Sequence, residues 1–153
     1  MTHSVITKEM KAAIGVESEP VVNEVEKGAI IKFAQAIGDQ NPAFNNEQAA
    51  RNTKYGGLTA PPTFLRSMKL GKARAEIVKP YSATLDGGSK WEYFEPVRPG
   101  DQITVTHYLA DLHERQGKLG NMLMIVRETK YTNQFDKIVV LQRSTEINYQ
   151  PTK

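Results

Sequence analysis

Beyond Pro80 the chain adopts a hydrophobic period of two and keeps it almost to the end. Residues 89–94, 102–113, 121–131 and 137–149 each read as a strand. In the second, Ile103, Val105, His107 and Leu109 alternate with Thr104, Thr106 and Tyr108, so one face turns inward and the other outward. The connections carry turn chemistry: Arg98-Pro99-Gly100-Asp101, the stretch from Arg115 to Gly120, and the stretch from Thr132 to Asp136. Gly87-Gly88 predicts a tight turn or bulge. A run of long antiparallel strands is therefore the frame into which everything else must fit.

The first half has a different rhythm. Residues 7–14 predict a short helix closed by Gly15. Val21, Val22 and Val25 suggest a short strand after Pro20. In residues 27–37, Ile30, Ala34 and Ile37 share one helical face, and Gly38 ends the segment. Asn45 or Asn46 can cap a short helix running to Arg51. Pro62 suits the first turn of a further helix, expected to run to Val78 with Phe64, Met68, Gly71, Ala75 and Val78 as its sheet-facing stripe. Pro80 opposes further continuation. The expected class is α+β: one long helix against an antiparallel sheet, preceded by short helices. One helix cannot cover both faces of such a sheet, so a remaining face or edge should be buried by another subunit.

Bulk composition narrows the classes. The 153 residues fit a single domain, 1–153, with a sizeable core. There is no cysteine, which excludes disulfides, thiolate chemistry and cysteine metal sites. The net charge of +3 suits a phosphate-bearing ligand but comes without a dense Lys/Arg block, so a nucleic-acid partner is not expected. The absence of a leader-like start and of a spanning apolar run gives a cytoplasmic, membrane-free expectation. The three histidines are far apart in sequence and lack metal-ligand spacing. His107 reads as a core or interface histidine, His113 as exposed, and His3 as part of a frayed terminus.

Several words in order carry a resemblance. Phe33 to Phe44 (FAQAIGDQNPAF), Gly56 to Leu65 (GGLTAPPTFL), Leu85 to Asp101 and Glu114 to Val140 resemble the MaoC-like hot-dog family of acyl-thioester hydratases and dehydratases. The last two segments are most similar to the N-terminal, substrate-binding half of two-part dehydratases. The resemblance implies a sheet wrapped around a central helix, a coenzyme A thioester as substrate and no cofactor. In catalytic members an aspartate and, five residues on, a histidine activate water for addition across a 2-enoyl thioester. Imidazole exchanges protons near neutral pH, which this step needs. A backbone N–H at the start of the central helix answers the enolate charge.

Set against that pattern, Asp39 and Asn41 match and are the candidate catalytic residues, although capping is the favoured role for Asp39. Phe44 stands where the histidine belongs. Ala60-Pro61 stands near the family's His-Gly pair, and proline has no N–H to donate. Phe44, Gly57, Ala60, Pro61, Thr63, Arg66 and Lys69 are the candidate substrate-binding residues, with Arg66, Lys69, Lys72 and Arg74 facing either coenzyme A phosphates or solvent. The leading expectation is a subunit that binds an acyl thioester while a homologous chain supplies the Asp-His pair. The alternatives are a self-sufficient homodimeric hydratase or thioesterase using Asp39, and a non-catalytic acyl-thioester binding module.

Overall fold

The computed structural model describes residues 4–151. Its elements in chain order are α1 (Lys8–Ala12), β1 (Val21–Glu24), α2 (Lys27–Ala36), α3 (Pro42–Asn45), α4 (Glu47–Ala50), a 3₁₀ helix (Pro62–Ser67), β2 (Ala83–Tyr93), β3 (Gln102–Gly117), β4 (Gly120–Thr132) and β5 (Ile138–Tyr149). The five strands form one antiparallel sheet in the order β1-β3-β4-β5-β2. The short elements start where their caps sit: Thr7 takes the Met10 N–H at α1, and Asn46 takes the Ala49 N–H at α4. Gly38, at φ +70°, turns the chain away after α2. The strand register slips between Asp86 and Ser89, where Gly87-Gly88 forms a bulge with Gly88 at φ +96°.

All helices pack on one face of the sheet, and the apolar core there lies in two parts. Ile30 of α2, with Phe64 and Leu65, packs on Ile103, Val105, Tyr131 and Val140. Met10 and Ala13, at α1 and its C-cap, pack on Leu109, Leu112, Leu123 and Ile125. Between these parts the register lays two polar rungs across the same face. One is His107, Thr129 and Gln142; the next contains Arg127 and Ser144.

The long helix expected from Pro62 to Val78 does not form. The 3₁₀ helix stops at Ser67, and the following residues run extended as a strap. Gly71, Ala73, Ala75 and Ile77 turn inward while Lys72, Arg74, Glu76 and Val78 are exposed, a period of two. Two causes are visible. An apolar helical stripe needs an apolar floor, and the floor here is the polar band. The strap also finds backbone partners elsewhere. Asn23 accepts from Lys69 N at 2.8 Å and donates to Lys69 O at 3.1 Å, the Glu19 N–H reaches Lys72 O at 2.9 Å, and His107 Nε2 lies 2.9 Å from Gly71 O. Phe64 and Met68 do reach the first part of the core and Ala75 the second. Gly71, however, abuts the Glu19 backbone, where a Cβ would sit 1.7 Å from the carbonyl oxygen.

Candidate functional site

The loop after α2 is built by its own side chains. Asp39 Oδ1 accepts the Asn41 N–H at 2.9 Å, and Asn41 Oδ1 accepts the Ala43 N–H at 3.0 Å, capping α3 with Pro42 in its first turn. Asn45 Nδ2 donates to Asp39 O at 3.0 Å. These bonds roll Phe44 inward, where it packs with Ala34, Ala43 and Tyr55. The Thr59 N–H donates to Ala43 O at 2.9 Å and ties this loop to the stretch before the 3₁₀ helix. Two segments distant in sequence thus converge on one pocket.

That pocket has a volume of about 260 Å³, and Phe44, Ala60, Pro61, Leu65, Tyr93 and Val97 are among its walls. Phe44 and Pro61 are both buried. The Ala60 N–H is consumed by Val97 O at 2.8 Å, and Pro61 and Pro62 have none. The stretch from Ala60 to Pro62 therefore offers no free N–H. No histidine lines the pocket. His107 holds the strap, and His113 pairs with Asp111 at 3.0 Å on the surface; His3 lies outside the described residues. Tyr93 hydroxyl donates to Pro62 O at 3.1 Å, and burial raises its pKa. Burial likewise pushes Tyr131 up to about 12. Neither phenol serves as a base near neutral pH. Among the described residues, no group of acidic, histidine or cysteine side chains is arranged to hold a metal ion.

The structure brings together Phe44, Ala60 and Pro61 and leaves the other candidates outside the pocket walls. Asp39 and Asn41 are spent on the loop. Gly57 faces the Arg98 guanidinium, which donates to Tyr55 O at 2.7 Å. Thr63, Arg66 and Lys69 are exposed along the 3₁₀ helix and the start of the strap. Sequence reasoning missed Tyr55, Tyr93 and Val97 as walls. Tyr93 carried a signal, its alternation with Trp91, and the two rings stack at 6.3 Å. The inward polar residues Arg127, Gln142 and Ser144 were also missed.

A single antiparallel sheet with its helices on one face is the hot-dog architecture, and solved MaoC-like proteins share it. Residues 12–142 match the family model for the FAS1-like, dehydratase domain region, and the chain belongs to this MaoC-like hot-dog family of dehydratases and hydratases. A Streptomyces avermitilis protein, described as a UPF0336 protein, is 35% identical over 100 residues, covering 61% of this chain and 66% of its own length. The chain thus spans just under two thirds of that relative. A probable enoyl-CoA hydratase alpha subunit of Thermomonospora curvata is 24% identical over 140 residues, covering 79% of this chain and 44% of that protein. Among solved structures, the ChsH1-ChsH2 complex of Mycobacterium tuberculosis aligns with TM-score 0.78 at 22% identity, over 94% of this chain and 88% of that one. The HadBC (3R-hydroxyacyl-ACP dehydratase) complex of the same organism aligns with TM-score 0.68 at 21% identity, over 89% and 97%. No helix among the described residues is long and apolar enough to cross a membrane.

Proposed function

We propose that this chain is the substrate-binding subunit of a hydratase or dehydratase acting on acyl thioesters, and that a homologous hot-dog chain supplies the Asp-His pair. The observation that carries this reading is the apolar pocket walled by Phe44, Ala60 and Pro61. Phe44 fills the place of the base, and the neighbouring backbone from Ala60 to Pro62 has no N–H to spare. In this reading the pocket takes a thioester's acyl part, and the exposed Arg66 of the 3₁₀ helix and Lys69 of the strap are available to coenzyme A phosphates. Asp39 is a poor candidate for independent catalysis, because its carboxylate accepts the Asn41 N–H and does not line the pocket.

An open sheet edge supports a partner chain. β2 pairs with β5 on one side only, and its 11 residues are mostly exposed. Long unpaired edges invite another strand. Two relatives in fold, ChsH1-ChsH2 and HadBC, are complexes of two different chains. The test is capture of the native complex and identification of its members. The expected companion is a second hot-dog chain carrying Asp-x-Asn-Pro-x-His; recovery of this chain only as its own oligomer, active on enoyl thioesters, contradicts the reading.

A further inference from the structure

Under the strap lies a second cavity of about 500 Å³, whose floor includes the two polar rungs of the sheet. His107, Arg127, Thr129, Gln142 and Ser144 line it, and the strap adds apolar residues and one carboxylate, Glu76. Such a floor is a poor seat for a plain hydrocarbon, since an alkyl chain pressed onto it strips water from polar groups and returns no hydrogen bond. Arg127 stands out. It is half-buried at the centre of the sheet, opposite Leu109 on one side and Ser144 on the other. Among the described residues its side chain has no ion-pair or hydrogen-bond partner, although Glu146 of β5 pairs with Lys79 of the strap and Arg143 of β5 with Glu128 of β4. Arg127 also walls a smaller neighbouring cavity lined by residues of β2, β4 and β5, among them Asp86 and Glu146. The same polar floor goes with the missing helix, so the space that an apolar helix would fill is left open.

From this arrangement we infer that the cavity recognises oxygen functions on the acyl group, with Arg127 as anchor and the Gln142 amide and Ser144 hydroxyl as secondary partners. The inference rests on the reading of the chain as an acyl-thioester binding subunit. The favoured acyl group carries a hydroxyl, carbonyl or carboxylate oxygen well beyond the thioester. The strand supplies the scale. Val140 walls the first pocket and Ser144 the second, and four residues of strand span roughly 13 Å. Trp91, in register with Gln142 and stacked on Tyr131 at 6.0 Å, forms an aromatic border between the two. A chain would pass this border before meeting the guanidinium. Arginine suits the task because its fork of N–H donors stays charged and donates to either a carboxylate or a neutral oxygen.

The test is calorimetric binding to the native complex, using dodecanoyl-CoA, its 12-hydroxy counterpart and the mono-coenzyme A thioester of dodecanedioic acid. None of these saturated probes needs to be turned over. The oxygenated probes should bind roughly ten- to hundredfold tighter than the plain one. Arg127→Met should bring them to the plain level, and Gln142→Leu should narrow the gap if the arginine variant fails to fold. Tighter binding of the diacid than of the hydroxy probe assigns the contact to charge; equal binding assigns it to a neutral oxygen. Equal or weaker binding of both oxygenated probes overturns the inference, as does a preference that survives both substitutions. Hydration of crotonyl-CoA by the same complex separates the two readings. Turnover without tail discrimination sinks only the cavity assignment, whereas tail discrimination without turnover sinks only the hydratase reading.

Discussion

Phe44 and Asp39 carry the proposal that this chain leaves the chemistry to a partner. Asp39 caps a turn, a task that an amide performs as well as a carboxylate. Asp39→Asn should therefore leave both stability and the activity of the complex unchanged, while Asp39→Ala should cost about 1 kcal/mol in a urea titration. A large loss of turnover in the asparagine variant would return Asp39 to the catalytic machinery. Tyr131 gives a second expectation at this scale. Its phenol is held neutral, with a pKa pushed up to about 12 from an ordinary value of 10.0. Between these values the unfolded chain has released the proton and the folded chain has kept it. Stability must then fall as pH rises from about 10 to about 12. Tyr131→Phe should flatten that part of the alkaline unfolding curve. Phe44 and Pro61 stand out in the sequence because each lacks a group that the resembled motif carries, and both wall the pocket. The walls that complete their pocket were not legible in the sequence, because Tyr55, Tyr93 and Val97 reach it only through the tertiary register.

At the scale of elements, the strands and the helix Lys27–Ala36 follow from period and punctuation, while residues 62–78 show where such reasoning fails. Phe64, Met68, Gly71 and Ala75 fit a helical stripe, yet Gly71, Ala73, Ala75 and Ile77 fit an extended chain equally well. Local spacing could not choose. The choice is made by a floor assembled from β3, β4 and β5, and by Glu19, Asn23 and His107, which hold the strap. His107 was readable as a satisfied inward histidine, and it is one. Gly71→Ala tests the strap directly. A methyl there meets the Glu19 carbonyl at 1.7 Å, so even this smallest side chain should cost on the order of 1–3 kcal/mol. Were the segment a helix, alanine would instead be neutral or stabilising, and an unchanged unfolding midpoint would contradict the strap.

For the whole molecule, the question is where a second subunit sits. The outer face of the sheet carries an ion-paired patch in which Tyr108 donates to Glu128, Arg143 lies 3.8 Å from Glu128 and Lys130 pairs with Glu17. Such a patch is content in water, whereas β2, with 11 residues, is the longer of the sheet's two open edges, β1 having 4, and a long open edge calls for cover. The chain should accordingly sediment as a dimer or a heteromer at micromolar concentration, and a well-folded monodisperse monomer would count against this. The most direct measurement follows the loss of enoyl-thioester absorbance with a short 2-enoyl-CoA, first with this chain alone and then with its catalytic companion. An absent general base forfeits roughly 10²–10⁴-fold in rate, and an absent carbonyl donor roughly a further 10²–10³-fold, without full multiplication between groups that act together. Little or no turnover is expected from the lone chain, with turnover restored in the complex and abolished by replacing the companion's loop histidine. Robust turnover by the lone chain, lost in Asp39→Asn, would contradict this expectation.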